Sequence, residues 1–325
     1  MRASAIDSTL EPQLTARFAA DLARLWPEGE GGTARLGLAV SGGADSLALL
    51  LLAAATLPGR VEAATVDHGL RAESADEAAM VARVCAELIV PHEVLAVTIA
   101  PGNLQDRARA ARYAALAKWC ERRGLAALAT AHQLDDQAET LAMRLNRGSG
   151  LAGLAGVRAR GTVPGGQLPL LRPLLDWRRA ELPDVVAVTG LEPAQDPSNE
   201  DERFDRVRMR RALAGADWLD PKGLASSATH LAEAERFIGE QIAAMAHTRL
   251  RAINGGYALD PPPSDFAAIE LCASILAKLD VAARRSEVAA LVARLRRGEN
   301  ASLGGVLTRV VGDEWVFAPE PPRSR

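Results

Sequence analysis

LGLAVSGGADSLALLLLAAATL, residues 36–57, is the stretch that decides the fold. Leu36–Val40 is a short apolar run, Ser41-Gly42-Gly43-Ala44-Asp45-Ser46 a polar glycine turn, and Leu47–Leu57 a second apolar run. The first run has the length of a buried strand and the second that of a helix, too short to cross a bilayer. Strand, glycine turn and helix make one βα unit.

The alternation continues outward. Val61–Val66 reads as a second strand, and Ser74-Ala75-Asp76-Glu77 matches a capping box ahead of a helix at Ala78–Leu88. Glu93–Ile99 reads as a third strand, Leu104–Arg123 as a helix stopped by Gly124, and Leu125–Ala131 as a fourth strand. A helix over Asp135–Asn146 ends at Arg147-Gly148-Ser149-Gly150. Repeated right-handed crossovers give a parallel sheet covered on both faces. Beyond residue 150 the pattern fades. Gly161–Pro173 predicts loops and a short hairpin, and Asp196-Pro197-Ser198-Asn199 a turn. Gly223–Ala252 and Phe266–Arg297 have helical periodicity, and Leu303–Val310 with Trp315–Ala318 suggests a closing hairpin. The expected fold class is α/β: a Rossmann-like parallel-sheet domain over 1–216, then a smaller, mainly helical domain over 217–325.

A net charge of −3 excludes a uniformly basic nucleic-acid coat, although residues 104–215 are locally positive. Only Lys118, Lys222 and Lys278 are lysines, so nearly all cations are arginines, whose planar fork suits phosphate. Cys85, Cys120 and Cys272 form no C-x-x-C pair, which argues against a zinc ribbon or disulfide framework and fits a reducing compartment. The N-terminus lacks an apolar signal core, so a cytoplasmic protein without membrane attachment is expected.

Residues 41–46 lie where a helix dipole and backbone amides converge, and glycines there let an anion approach. The loop lacks the lysine of a Walker A motif. A carboxylate inside a phosphate loop, Asp45, makes sense chiefly if Mg²⁺ bridges it to the phosphates. His132-Gln133-Leu134-Asp135-Asp136-Gln137-Ala138-Glu139-Thr140 opens at the end of the fourth strand, where open α/β sheets bind ligands. Its acids either serve the site or simply favour a helix dipole. His68, ending the second strand, either orients a nucleotide or caps a turn. Arg107, Arg109 and Arg112 share one helix, and Arg203, Arg206, Arg208, Arg210 and Arg211 form a run. Each set is either a solvated face or a contact to phosphate or RNA.

These residues resemble the bacterial tRNA(Ile)-lysidine synthases of the PP-loop ATP pyrophosphatase superfamily. SGGADS resembles the superfamily loop, and AHQLDDQAETLAMRLNRGSGLAGLAG over Ala131–Gly156 is the more specific match. VDHGLR at 66–71, RY at 112–113, RPLL at 172–175 and DPSNEDERFDRVRMRR at 196–211 follow in order. Val207 stands where many relatives have Asn, and longer members carry a further C-terminal domain. The resemblance implies ATP-dependent adenylation of the wobble cytidine of tRNA(Ile) with a CAU anticodon, then displacement of AMP by free L-lysine. It implies ATP and Mg²⁺ as cofactors and no obligate protein partner. Ser41, Gly42, Gly43, Ala44 and Ser46 would hold phosphates, Asp45 Mg²⁺, Arg112 the α-phosphate, and His68 and His132 the nucleotide. Asp135, Asp136 and Glu139 would face lysine, Asp136 also as a catalytic group that holds the ammonium or aids its deprotonation. Arg206, Arg208, Arg210 and Arg211 would face the tRNA, Arg206 also as a catalytic residue on the tRNA backbone or in the lysine-transfer step, and the domain over 217–325 would contact tRNA as well. A PP-loop tRNA thiolase is the nearest rival, disfavoured by the lack of paired cysteines. A non-catalytic nucleotide-binding regulator on the same fold is the other.

Overall fold

The computed structural model describes residues 10–30, 32–69, 73–98, 104–194 and 201–320. The expected turn at 196–199, Leu70-Arg71 of VDHGLR, and Ile99 lie outside them. The chain divides into two compact units, Met1–Ala232 and Glu233–Arg325.

In the first unit the helices are α1 (Pro12–Leu25), α2 (Ala44–Thr56), α3 (Glu73–Glu87), α4 (Leu104–Arg123), α5 (Leu134–Asn146), the single turn α6 (Leu151–Leu154), α7 (Leu182–Ala187) and α8 (Asp205–Ala214). The strands are β1 (Leu36–Ala39), β2 (Val61–Asp67), β3 (His92–Ala96), β4 (Ala127–Ala129), β5 (Arg160–Thr162) and β6 (Pro169–Leu171). They form one sheet in the order β3-β2-β1-β4-β6-β5. β1 runs parallel to both neighbours, with Leu36 opposite Val61 of β2 and Ala127 of β4. The hairpin expected in 161–173 is present as β5 and β6, and β6 also joins β4 in parallel, so it extends the main sheet.

The alternating pattern follows from what each helix must cover. Leu47, Leu49, Leu50, Leu51 and Leu52 of α2 are all buried, because α1, α7 and the sheet enclose the helix. A helix apolar on every side needs such enclosure, and each buried leucine contributes about 1.5–3 kcal/mol. The β3-to-β4 crossover runs back across the sheet, which puts α4 on the other face. There Tyr113, Leu116, Trp119 and Cys120 cover Leu95, Leu128 and Leu170. Ser74 is not the helix cap expected at α3: the helix already includes Glu73, and the Ser74 hydroxyl donates to Asp67 Oδ1 at 2.7 Å.

A long helix, α9 (Pro221–Arg249), contains the division between units. The sequence pattern divides the domains at 216/217, and the compact units separate after Ala232; α9's buried residues, Ala225 and Ala228, precede that point. The second unit has α10 (Asp265–Lys278), α11 (Arg285–Arg296), β7 (Leu250–Ile253), β8 (Gly256–Leu259), β9 (Ala301–Leu303), β10 (Val306–Val311) and β11 (Glu314–Pro319). The closing hairpin matches expectation, whereas the helical stretch expected over 266–297 is two helices separated at 279–284, and that expected over 223–252 gives way to β7 at Leu250. The hairpin belongs to a five-stranded antiparallel sheet, β7-β8-β11-β10-β9, of which β7 and β8 were not foreseen. Asn254-Gly255 between those two strands was the available turn signal. Leu271, Ile275, Val292, Trp315 and Phe317 form the core between helices and sheet. Among the described residues no helix is long and apolar enough to cross a membrane.

Candidate active site

Strand order reverses between β1 and β4, and the crevice outside that point is where an open α/β sheet binds ligands. A cavity of about 590 Å³ lies there. Ser41, Gly43 and Ser46 line it from the loop after β1, His68 from the end of β2, and Thr130 and His132 from the end of β4. Arg109, Arg112 and Tyr113 line it from α4, with Asp136 from α5 and Arg206 from α8.

Gly43 is the N-cap of α2 and no side chain caps that helix. The first intrahelical bond is Leu47 N to Gly43 O at 3.0 Å, leaving the amides of Ala44, Asp45 and Ser46 without helical partners. Ser46 Oγ accepts from the amides of Ser41 and Gly42, both at 3.1 Å, and donates to Gly43 O at 2.9 Å. That hydroxyl shapes the loop from within. Gly42 has φ +93°, which a side chain would strain, and its carbonyl accepts from Ala194 N at 3.0 Å. A Cβ at Gly43 would meet nothing within 4 Å, so the space before the bare amides is open to a ligand.

Burial, reinforced by the charge of Asp136, pushes the Asp45 carboxyl up to about 6. Two hard oxygen donors that repel one another suit a divalent cation, which would relieve both. Among the described residues no group of three or more His, Cys, Asp or Glu could hold a metal, so other ligands would have to complete such a shell.

Arg109 and Arg112 lie over the Tyr113 ring, at 5.0 and 5.5 Å from its centre. Arg172, which follows β6, is buried nearby. Among the described residues these three arginines have no carboxylate partner. Burial lowers the pKa of Arg112 and of Arg172. Burial first, then the charges of Arg172, Arg109, Arg206 and Arg112, hold His132 down to about 3, so its imidazole is neutral at physiological pH. Its Nδ1 lies 2.9 Å from Thr130 Oγ1. His68 is likewise lowered, by burial and then Arg112, and its buried Nδ1 has no hydrogen-bond partner among the described residues.

The acids of α5 have separate fates. Gln133 caps the helix: its Oε1 accepts from the amides of Asp135 at 2.6 Å and Asp136 at 3.2 Å, while Asp136 Oδ2 accepts from Gln133 N at 3.3 Å. Asp136 therefore caps with one oxygen and keeps Oδ1 for Arg179, at 3.2 Å, and Arg206, at 3.3 Å. Asp135, expected to face lysine, does not line the cavity, and its Oδ2 accepts from Arg179 N at 2.7 Å. Glu139, expected there too, is buried beneath three guanidiniums. Of the arginine run only Arg206 lines the cavity. Arg210 pairs with Glu139 at 2.9 Å, Arg208 with Asp205, and Arg211 with Glu202. Arg107 does not line it either. Sequence reasoning missed Gln133 and Arg179 and gave Arg172 no role; Arg172 and Arg179 flank the apolar run PLLDW, as RPLL and WRR, which was the available signal.

Cys85 and Cys120 sit in separate cores of the first unit and Cys272 in the second unit. Burial raises each thiol to about 12, which leaves no reactive thiolate of the kind a sulfur carrier needs.

A family profile described as a PP-loop domain matches residues 14–216. The tRNA(Ile)-lysidine synthase of Novosphingobium aromaticivorans is 46% identical, covering 94% of this chain and 93% of its own length. That of Zymomonas mobilis is 39% identical over 90% of each chain. Among solved structures, the U34-tRNA thiolase NcsA from Methanococcus maripaludis with its [4Fe-4S] cluster aligns with a TM-score of 0.55 at 16% identity. It covers 69% of this chain and 80% of that one, a likeness of fold alone. The chain belongs to the tRNA(Ile)-lysidine synthase family and carries its PP-loop domain in residues 14–216.

Proposed function

We propose that the chain ligates free L-lysine to C2 of the wobble cytidine of tRNA(Ile) bearing a CAU anticodon, in the cytoplasm. An adenylated tRNA is formed first, and lysidine, AMP and pyrophosphate are the products, so that codon reading changes from AUG to AUA. One observation carries this reading: a single cavity is lined by the helix-capping loop with its bare amides, by Arg109 and Arg112, which have no carboxylate partner among the described residues, and by the Asp136 carboxylate. Amides at one end suit the β,γ-phosphates, so pyrophosphate leaves and the α-phosphate is transferred.

The amides of Ala44–Ser46 bind the leaving pyrophosphate, with Ser41, Gly42 and Gly43 shaping its seat and Ser46 bracing the loop. Arg112 neutralises charge growing on the α-phosphate. Asp45 would hold Mg²⁺, which supplies further charge neutralisation when bound. Neutral His132 and His68 offer hydrogen bonds to the nucleotide without adding repulsion to the arginines. Asp136, which unlike Glu139 lines the cavity, binds the lysine ammonium by exchanging its Oδ1 contacts to Arg179 and Arg206 for it, and can accept its proton before the free amine attacks. Arg206 orients the RNA or the adenylate at the cavity, while Arg208 and Arg211 contact the RNA backbone. The target base must be splayed from the anticodon loop to reach these groups.

Incubation with ATP, Mg²⁺, labelled lysine and tRNA(Ile) carrying CAU is expected to transfer label to the RNA and release one AMP per lysine. ATP consumption without label in the RNA would overturn the reading.

A further inference from the structure

The reaction as assigned leaves Glu139 unused, although it is the most heavily paired carboxylate beside the cavity. Its side chain is 2% exposed. Oε1 accepts from Arg179 Nη2 at 2.8 Å and from Arg210 Nε at 2.9 Å, and Oε2 accepts from Arg206 Nε at 2.8 Å. Both oxygens are thus engaged, and an ammonium could reach Glu139 only by displacing a guanidinium. A buried carboxylate must be paired to remain charged, and here the pairing comes wholly from the protein.

Spacing brings the cluster together. Asp136 and Glu139 are three apart on α5, and Arg206 and Arg210 four apart on α8, so each helix turns two of them toward the other. Arg206 is held in two directions: Nε donates to Glu139 Oε2, and Nη2 donates to the Asp136 carbonyl at 3.2 Å. Two bonds in different directions fix the plane of a guanidinium, which one bond would let rotate. Of Glu139, Arg179, Arg206 and Arg210, only Arg206 lines the cavity. The other three stand behind it.

We propose that Glu139 is a positioning residue: it touches no substrate, and with Arg179 and Arg210 at its sides it fixes the Arg206 guanidinium in the orientation the ligation uses. This role rests on the lysidine-forming reading above. It reassigns Glu139 from the lysine pocket, and Arg210 from the RNA surface, to one internal clamp between α5 and α8.

The test is a double-mutant cycle of Glu139→Gln and Arg206→Ala, reading kcat for lysidine formation, the KM for lysine, and thermal unfolding of each folded variant. Glu139→Gln is expected to lower kcat by about 100-fold, the scale of loss when a reacting arrangement shifts by about 1 Å. Its effect on lysine KM should stay below about threefold, since it removes no lysine contact. With Arg206 already alanine, the same change should lower kcat by no more than about threefold, because no guanidinium remains to be misplaced. Equal losses in both backgrounds would overturn the proposal. So would a raised lysine KM with kcat intact, which would make Glu139 a lysine ligand.

If Glu139→Gln does not fold, Arg210→Gln decides. A kcat loss of about three- to tenfold that disappears in the Arg206→Ala background supports the clamp, and an unchanged kcat overturns it. The unmutated chain separates this from the functional reading. If it forms no lysidine, that reading fails and the role of Glu139 with it; if it forms lysidine and the cycle is additive, only the clamp fails.

Discussion

Two walls of one cavity carry arginines in opposite electrostatic states. On the α4 side Arg109 and Arg112 flank Tyr113, with Arg172 behind them, and none of the three has a carboxylate partner among the described residues. On the α5–α8 side Arg179, Arg206 and Arg210 meet Glu139, and two of them also meet Asp136. The first wall has positive charge that suits an anionic ligand, and after burial its arginines are among the charges that hold His132 down. The second wall is neutralised from within and acts as scaffold. Arginine content alone does not distinguish binding from bracing; the acids facing each arginine do.

The comparison breaks most readily on Arg112. Arg112→Ala is expected to slow adenylation by about 10²–10³-fold, the usual loss when one electrostatic stabiliser is removed. Its melting temperature without ligand should stay level or rise, because a half-buried cation among like charges is gone. Arg210→Gln should do the reverse, lowering the melting temperature by leaving Glu139 one donor short while slowing turnover only severalfold. Thermal shifts with and without Mg·ATP check both sides. Ligand at 100 times its Kd adds about 2.7 kcal/mol to stability, and Arg112→Ala should lose most of that increment. An Arg112→Ala protein that melts early yet keeps its ATP shift would erase the contrast.

A smaller effect sharpens the electrostatics of the shared cavity. The Asp45 carboxyl is raised to about 6, above its ordinary value near 3.8, by burial and then Asp136. Between those two pH values the folded state binds more protons than the unfolded state, so ligand-free stability falls as pH rises from about 4 through 6. Asp45→Asn should flatten this slope and be the more stable protein at pH 7. Mg·ATP binding should weaken below about pH 6 in the unmutated chain as Asp45 protonates. Melting curves from pH 4.5 to 8 check both, and a slope unchanged in Asp45→Asn would mean another group titrates.

The parts of the fold legible in the sequence are those where burial enforces a pattern. The run at 36–57 gave β1, loop and α2 because α2 is enclosed and must be apolar throughout. The ends of β1, β2 and β4 supplied cavity residues Ser41, His68 and His132, since parallel topology fixes which strand ends face the crevice. The pairing of acids with arginines was not legible. Asp135, Asp136 and Glu139 stand together in sequence, yet their partners come from Arg178-Arg179 and from α8, tens of residues away. Periodicity reports which face of a helix is buried; it does not report what meets that face. β7 and β8 were missed for a related reason: they continue directly from α9, whose helical pattern overran Leu250–Ala252.

The smallest expected effect tests a third kind of arginine. Arg208 and Arg211 are more than half exposed, paired with the similarly exposed Asp205 and Glu202. Such surface pairs contribute at most about 1 kcal/mol, so an RNA phosphate can take the guanidinium at little cost. Arg210, two-thirds buried at the side chain and bonded to Glu139, cannot be taken so easily. Arg208→Ala and Arg211→Ala should therefore each weaken tRNA binding only a few fold. Each should make the log–log dependence of affinity on salt shallower by about 0.7–0.9, the value of one phosphate contact. Arg210→Gln should leave that slope unchanged even though it slows turnover. Filter binding across a salt series distinguishes the two behaviours without requiring catalysis. If Arg210→Gln lowers the slope as much as Arg208→Ala does, the clamp opens to RNA, and the division between binding and bracing arginines fails at the residue where it is drawn most sharply.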